Sequence, residues 1–295
     1  MQRRQLLTQR LWRNSAFRFG VLVLGVLLLL AALAPVLGTV DPAAMDSAHI
    51  NTAAGARGQF AQLDGTAVAH TFWMGADNFG RDIFSRVLYG TRTSLLVAAF
   101  TATLAIGVGA LLGMLAGYFR LVDAVLMRFM DGLMAIPAIL LAIALVAALG
   151  AQLWTVVVAI AIPEIPGVTR WVRAMWACRR VEPVVVAARA LASPSPVILW
   201  RHILPNAMAP LIVQGTFVAA SAVLTEAILS FLGLGLPADI PTWGNIMAEG
   251  RVQFTQYPGN VLFPALFLVP TVLAINLLGD GLRDVLDPKF ARRSP

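Results

Sequence analysis

Residues 132–163 run for 32 positions without a charged side chain. As one α-helix this stretch would be about 48 Å long, against a bilayer hydrocarbon core of about 30 Å. Two crossings joined at Gly150-Ala151-Gln152 fit that thickness, placing spans near 130–149 and 152–169. Further apolar runs cover Phe19–Gly38, the charge-free 93–119, about Ala207–Phe231 and about Gly259–Leu278. The sequence therefore predicts an all-α integral membrane protein with six transmembrane helices. Composition agrees, with 59% hydrophobic residues, 13% charged and mean hydropathy +0.78. A soluble domain carries about 25% charged residues, so a soluble fold is excluded. A disordered chain, a disulfide scaffold and a coiled coil are excluded with it. The single cysteine, Cys178, cannot form an internal disulfide.

The first apolar run follows Arg3, Arg4, Arg10, Arg13 and Arg18. Ala32-Leu33-Ala34 resembles a signal-cleavage site. The run is longer than a usual signal core and Pro35 would follow the cut, so an uncleaved anchor is expected. Six crossings put both termini on one side. The N-terminal tail, the 120–128 loop, the 170–201 loop and the C-terminal tail hold 17 of the 22 Lys/Arg residues. The rest (Arg57, Arg81, Arg86, Arg92, Arg251) fall on the other side. Positive loops stay cytoplasmic, so both termini are expected inside.

The chain then divides into a basic amphipathic tail (1–18), a first helix (19–39), an outer loop (40–92), a membrane core (93–281) and a cytoplasmic tail (282–295). The core holds an inner loop at about 170–206 and an outer loop at about 232–258. The apolar spacing of Asp82–Gly90 predicts a short amphipathic helix on the outer face, capped by Asp82 and stopped by Gly90. Gly109, Gly113 and Gly117 recur every fourth residue, which predicts a face that a neighbouring helix approaches closely. Pro163 and Pro166 are expected to break or kink the fourth span.

Catalytic chemistry is absent from the pattern. His49, His70 and His202 are scattered without metal-ligand spacing, so no metal site is expected. No nucleophile–base constellation stands out. The only lysine is Lys289, followed by Phe290, so no P-loop is present. If ATP drives this protein, another polypeptide hydrolyses it. The net charge of +7 is accounted for by orientation, and no nucleic-acid partner is expected.

The inner loop is the distinctive segment. Ala187-Ala188-Arg189-Ala190-Leu191-Ala192 carries strong helix formers. Ser193-Pro194-Ser195-Pro196 supplies a break and a helix entry. Val197-Ile198-Leu199-Trp200-Arg201-His202-Ile203-Leu204 then forms an apolar, basic helix that Pro205 ends. So many large apolar groups on a basic cytoplasmic loop point to docking against a partner.

Here the sequence resembles the inner-membrane permease subunits of ABC importers for dipeptides, oligopeptides and nickel, in their second-permease (C-type) branch. Six segments carry the resemblance, in order along nearly the whole chain. The first is Met74-Gly75-Ala76-Asp77-Asn78-Phe79-Gly80-Arg81-Asp82. The next two are Leu88-Tyr89-Gly90-Thr91-Arg92 and Leu126-Met127-Arg128-Phe129-Met130-Asp131. Then come the inner loop from Ala187 to Asn206, and Phe231–Pro237 with Trp243-Gly244-Asn245. Asn276–Asp284 with Leu286-Asp287-Pro288 completes the set. The family's loop glutamate and glycine fall on Val186 and Ala192 here, which removes a carboxylate and a flexible break.

The resemblance implies a coupling helix between the fourth and fifth spans that inserts into a cytoplasmic ATPase. Its residues would be Ala187, Ala188, Arg189, Ala192, Ser195, Ile198, Leu199, Trp200, Arg201, His202, Leu204 and Pro205. It implies a bacterial inner-membrane location, a homologous second permease forming a heterodimer, two ATPase subunits that bind ATP and Mg, and an extracytoplasmic solute-binding protein. No cofactor is expected in this chain. Glu226 and Asn276 are candidates for the translocation path, since intramembrane polar groups often line one. Asp77, Arg81 and Asp82 are candidates for contact with the binding protein, although turn and cap geometry explains them equally. Glu164, between Pro163 and Pro166, reads as an interface residue. A self-sufficient carrier driven by an ion gradient is the alternative; it would leave the inner loop without a role.

Overall fold

The computed structural model describes residues 9–179, 183–191, 194, 197–198, 201 and 204–286. Five helices are long and apolar enough to cross a bilayer, and a pair bent by 89° makes the number six where the pair is counted as one span. Helix α1 (Ser15–Leu33) begins where the Asn14 side chain accepts the Phe17 N–H at 3.1 Å. Helix α2 (Ile83–Tyr118) is a single helix of 36 residues, about 54 Å long.

The separate surface helix expected at 82–90 is the first turns of α2. Asp82 does cap it, accepting the Ser85 N–H at 2.7 Å. Gly90 does not stop it. The bare backbone at Gly90 instead meets the Thr242 backbone, 3.4 Å from where a Cβ would sit.

The crossing expected at 130–149 is not one helix. Helices α3 (Arg120–Met134) and α4 (Ala138–Leu149) meet at 89°. Pro137 lacks an N–H and disfavours helical geometry at Ile136, so the bend falls there. Gly150, at φ 89°, ends α4 and turns the chain into α5 (Leu153–Arg179), where the turn was expected. Helix α5 continues through Pro163 and Pro166 without a break and reaches Arg179 rather than 169. The inner loop is shortened accordingly. Then follow α6 (Pro183–Ala190), α7 (Leu204–Phe231), α8 (Trp243–Gly250) and α9 (Gly259–Leu286).

The outer loop is not wholly irregular. Strands β1 (Ala56–Ala61) and β2 (Ala67–Phe72) form an antiparallel hairpin with Ala56 opposite Phe72. Its turn uses Gly65 at φ 79° and the Asp64 side chain, which accepts the Thr66 N–H at 2.9 Å. Phe60 and Phe72 bury with Val40, Ala44 and Ala76 in a small cluster of their own.

Glycine contacts fix the helix directions. A Cβ on Gly109 would lie 2.6 Å from Val168 Cβ, and one on Gly113 would lie 2.6 Å from the Thr169 carbonyl oxygen. One on Gly117 would lie 2.5 Å from Trp176 Cδ1. The seam predicted from the glycine spacing is therefore the α2–α5 interface, and the two helices run parallel. Helix α1 runs against α9, with Gly20 on Ala274 and Leu278, and Gly281 on Phe17. Asn14 donates to Asp284 Oδ2 at 3.3 Å, so α1 starts and α9 ends at one end of the bundle. We call this the far end, and the opposite one the hairpin end. The outward faces of α1 and α9 carry Leu22 and Leu29, and Leu262, Leu266, Val269 and Leu273, all exposed, as a lipid-facing surface requires.

Candidate functional site

At the hairpin end, the 74–82 segment closes on itself. Gly75 and Gly80 take φ 82° and 74°. A Cβ on Gly80 would lie 1.9 Å from the Asp46 carbonyl oxygen, so no side chain fits. Asp77 Oδ1 accepts the N–H groups of Phe79 and Arg81 at 2.8 and 2.9 Å. Its other oxygen accepts from Arg81 Nε and an Arg86 terminal nitrogen, both at 2.7 Å. Both arginines also reach Glu249 Oε2 on α8, each at 2.5 Å. Arg81 and Arg86 are 2% and 1% exposed. Asp82 is fully buried and accepts from Ser85 Oγ, while His70 Nε2 lies 3.3 Å from its second oxygen.

Asp77, Arg81 and Asp82 are thus internal fasteners. Their side chains are almost fully buried and are used within the chain, in the turn and cap roles that the sequence offered as the alternative to a binding-protein contact. Sequence reasoning missed Arg86 and Glu249.

Helix α8 is held by the same end of the bundle. Trp243 is fully buried and donates from Nε1 to the Val87 carbonyl at 3.3 Å. Asn245 Nδ2 donates to the carbonyls of Leu236, Pro237 and Ile240 at 2.9, 3.2 and 3.2 Å, which pins the preceding loop. Gly244 lets α8 approach α7, since a Cβ there would lie 2.8 Å from Ala227 Cα.

Asp46 ties the hairpin to the chain before it. Its oxygens accept from the Ala48 and Ala61 N–H groups at 3.0 Å each, and His49 Nδ1 lies at 2.8 Å. Burial acts to raise its pKa, but the Ala61, His49 and Ala48 hydrogen bonds outweigh it and hold the carboxyl below its ordinary 3.8. A lowered folded pKa means that the contribution is complete above the unfolded value and is lost as pH falls through the lowered one. Amide exchange across residues 44–61 should stay slow down to about pH 4 and quicken below it. Asp46→Asn should exchange fast at neutral pH and show no such acid step.

The two candidates for the path, Glu226 and Asn276, are each held by a hydrogen bond within their own helix. Glu226 is 1% exposed, and its Oε1 accepts from Ser230 Oγ at 2.7 Å. The Thr242 and Ser94 hydroxyls face the same carboxyl. It joins no ion pair among the described residues. Asn276 donates to the Val272 carbonyl of its own helix at 3.0 Å. A different feature faces outward: an apolar groove of about 830 Å³ between α1, α2, α7 and α9, lined by Leu28, Ala102, Ala110, Met208, Ile212 and Ile275 among others. Neither Glu226 nor Asn276 lines it. Glu164 accepts from Ser221 Oγ at 2.7 Å, linking α5 to α7.

At the far end the segment after α5 packs back onto it. Ile198 and Val185 are buried against Trp176, with Tyr118 beside them. Tyr118 and Trp176 meet edge to face at 5.8 Å between ring centroids. Val186, Leu191 and Val197 are exposed, Leu191 by 80%. Ala187 and Arg201 are exposed and Leu204 half-buried. Ala192, Ser195, Leu199, Trp200 and His202 lie outside the described residues, as do the side chains of Ala188, Arg189 and Pro205. Pro205 falls within α7 and does not precede it. Nearby, an Arg170 terminal nitrogen donates to Asp131 Oδ1 at 2.6 Å, and one on Arg173 donates to Asp123 Oδ2 at 2.6 Å.

Against known families, residues 105–292 match the binding-protein-dependent transport system inner membrane components. The chain belongs to this family. It is 44% identical to a putative peptide transport system permease protein of Brucella abortus over 285 residues, 97% of this chain and 92% of the relative. It is 40% identical to the dipeptide transport system permease protein of Alkalihalophilus pseudofirmus over 283 residues, 96% and 88% of the two chains. Over 291 residues it is 31% identical to the oligopeptide transport system permease protein of Bacillus subtilis, covering 96% and 91%. The permease is thus a multi-pass inner-membrane subunit of an ABC importer, whose ATPase sits on separate subunits. The ion-driven carrier alternative falls with this assignment.

Proposed function

We propose that the permease carries di- or oligopeptides through a path shared with a homologous second permease, by alternating access. The peptide names of relatives that align along nearly its whole length support this substrate class over nickel. In this reading the far end is cytoplasmic, because it carries the tails and loops with 17 of the 22 Lys/Arg residues. The hairpin end then faces the solute-binding protein. Two ATPase subunits hold ATP and Mg, and the permease itself needs no cofactor.

The observation that carries the coupling role is the arrangement of the 183–201 segment. One side is anchored, through Val185 and Ile198 on Trp176, while Val186, Leu191 and Val197 are exposed. An anchored segment with an unused apolar face suits insertion into a groove on a partner. Leu191→Asp combined with Trp200→Asp should leave membrane insertion intact and abolish co-purification of the ATPase. Normal recovery of the ATPase with that variant would overturn the coupling role.

A further inference from the structure

We propose that α3 is a lever, tied to the far end of α5 by the Arg170–Asp131 and Arg173–Asp123 ion pairs, that swings about the 135–137 elbow as the ATPase closes. The proposal rests on the coupling reading above and adds the route by which movement leaves the coupling segment.

The route is a contiguous chain of contacts. Ile198 and Val185 press on Trp176, three residues beyond Arg173 on α5. Beyond Pro166, the part of helix α5 that carries Arg170, Arg173 and Trp176 is one uninterrupted helical stretch. The helix as a whole is continuous through both prolines and locked to α2 by the glycine seam. A push at Trp176 therefore displaces the end of α5 as a unit.

Helix α3 is held far less firmly. Met130 is its one buried residue, while Leu121 is 86% and Val125 74% exposed. Its polar side meets α5 through Asp123 and Asp131, so the two ion pairs are its main fixed points there. The elbow itself is unpacked, since Ala135, Ile136 and Pro137 are all exposed. Helix α4 has only 12 residues, about 18 Å, well short of a bilayer core of about 30 Å. Helices α3 and α4 meet at 89°, so any change at the elbow changes how α3 lies against that end of the bundle. Ion pairs this exposed add little to stability. Variants at these positions should fold, and their value lies in positioning α3.

The test uses the assembled complex in proteoliposomes, with Cys178→Ser and Ile136→Cys giving one thiol at the elbow. Maleimide labelling is timed without nucleotide and after vanadate trapping with ATP. With both pairs intact, the two labelling rates should differ roughly three- to tenfold. Asp123→Arg with Asp131→Arg should erase that difference while ATPase co-purification persists. Adding Arg170→Asp and Arg173→Asp to restore both pairs should bring it back. The lever is overturned if the difference survives the broken pairs, if restored pairs stay silent, or if the intact pairs show none. Loss of ATPase co-purification from the unaltered permease would instead remove the coupling reading on which the lever rests.

Discussion

Gly113→Val is expected to leave almost no folded permease in the membrane. Its Cβ would fall 2.6 Å from the Thr169 carbonyl oxygen and 2.7 Å from Val172 Cβ. The first of these is a backbone atom and cannot rotate aside, so α2 and α5 must part. Overpacking of a close-packed interior costs about 1–3 kcal/mol where side chains can yield. Here separation along the seam also strips Gly109 from Val168 and Gly117 from Trp176. The loss should then approach a total stability of about 5–15 kcal/mol. Gly107, on the same helix, has nothing within 4 Å of its Cβ position and is the control. Gly107→Val should be extracted in detergent at near wild-type yield as a single chromatographic peak, while Gly113→Val should be recovered aggregated or not at all. Equal recovery of the two would mean that the seam is not what joins these helices.

That seam was legible in the sequence because four-residue spacing puts glycines on one helix face, and membrane helices associate through close backbone approach. The six crossings were legible because hydrocarbon thickness fixes the length of an apolar run. The Asp82 cap and the Gly150 turn followed from local chemistry. The failures share a cause, in that no single local signal decides them. Gly90 looks like a stop, yet the flanking apolar residues carry α2 on through it. The elbow at Pro137 sits in a run whose composition is uniform, and apolarity does not say where a span bends. The hairpin was missed because β1 buries only Phe60, too little alternation to mark a strand.

At the candidate sites the same limit applies. Arg81 and Arg86 were counted as loop charges, yet their shared partner Glu249 lies 168 and 163 positions away. Glu226 lies near the outer end of its span in the sequence, and the hydroxyls that face it come from α2 and from the Thr242 cap of α8 as well as from its own helix, which the sequence alone does not bring together.

Arg86→Met should cost the hairpin end about 3–5 kcal/mol, as removal of one member of a buried ion pair generally does. Arg86 is 1% exposed, and the cluster is balanced, with two arginines against Asp77 and Glu249. Methionine keeps much of the volume but leaves one net negative charge shut away from water. Arg81 alone must then serve both carboxylates, while Asp77 is also committed to the Phe79 and Arg81 N–H groups. Helix α8, bound to the 74–82 segment through Glu249, should loosen with it. The measurable outcome is a lower melting temperature in detergent and rapid proteolysis within residues 74–82. Adding Glu249→Gln removes the stranded charge and leaves Arg81 paired with Asp77. The double variant should therefore be more stable than Arg86→Met alone, a coupling of opposite sign to simple addition. If the two substitutions merely add, the cluster does not act as one electrostatic unit, and the hairpin end is held by Trp243 and Asn245 instead.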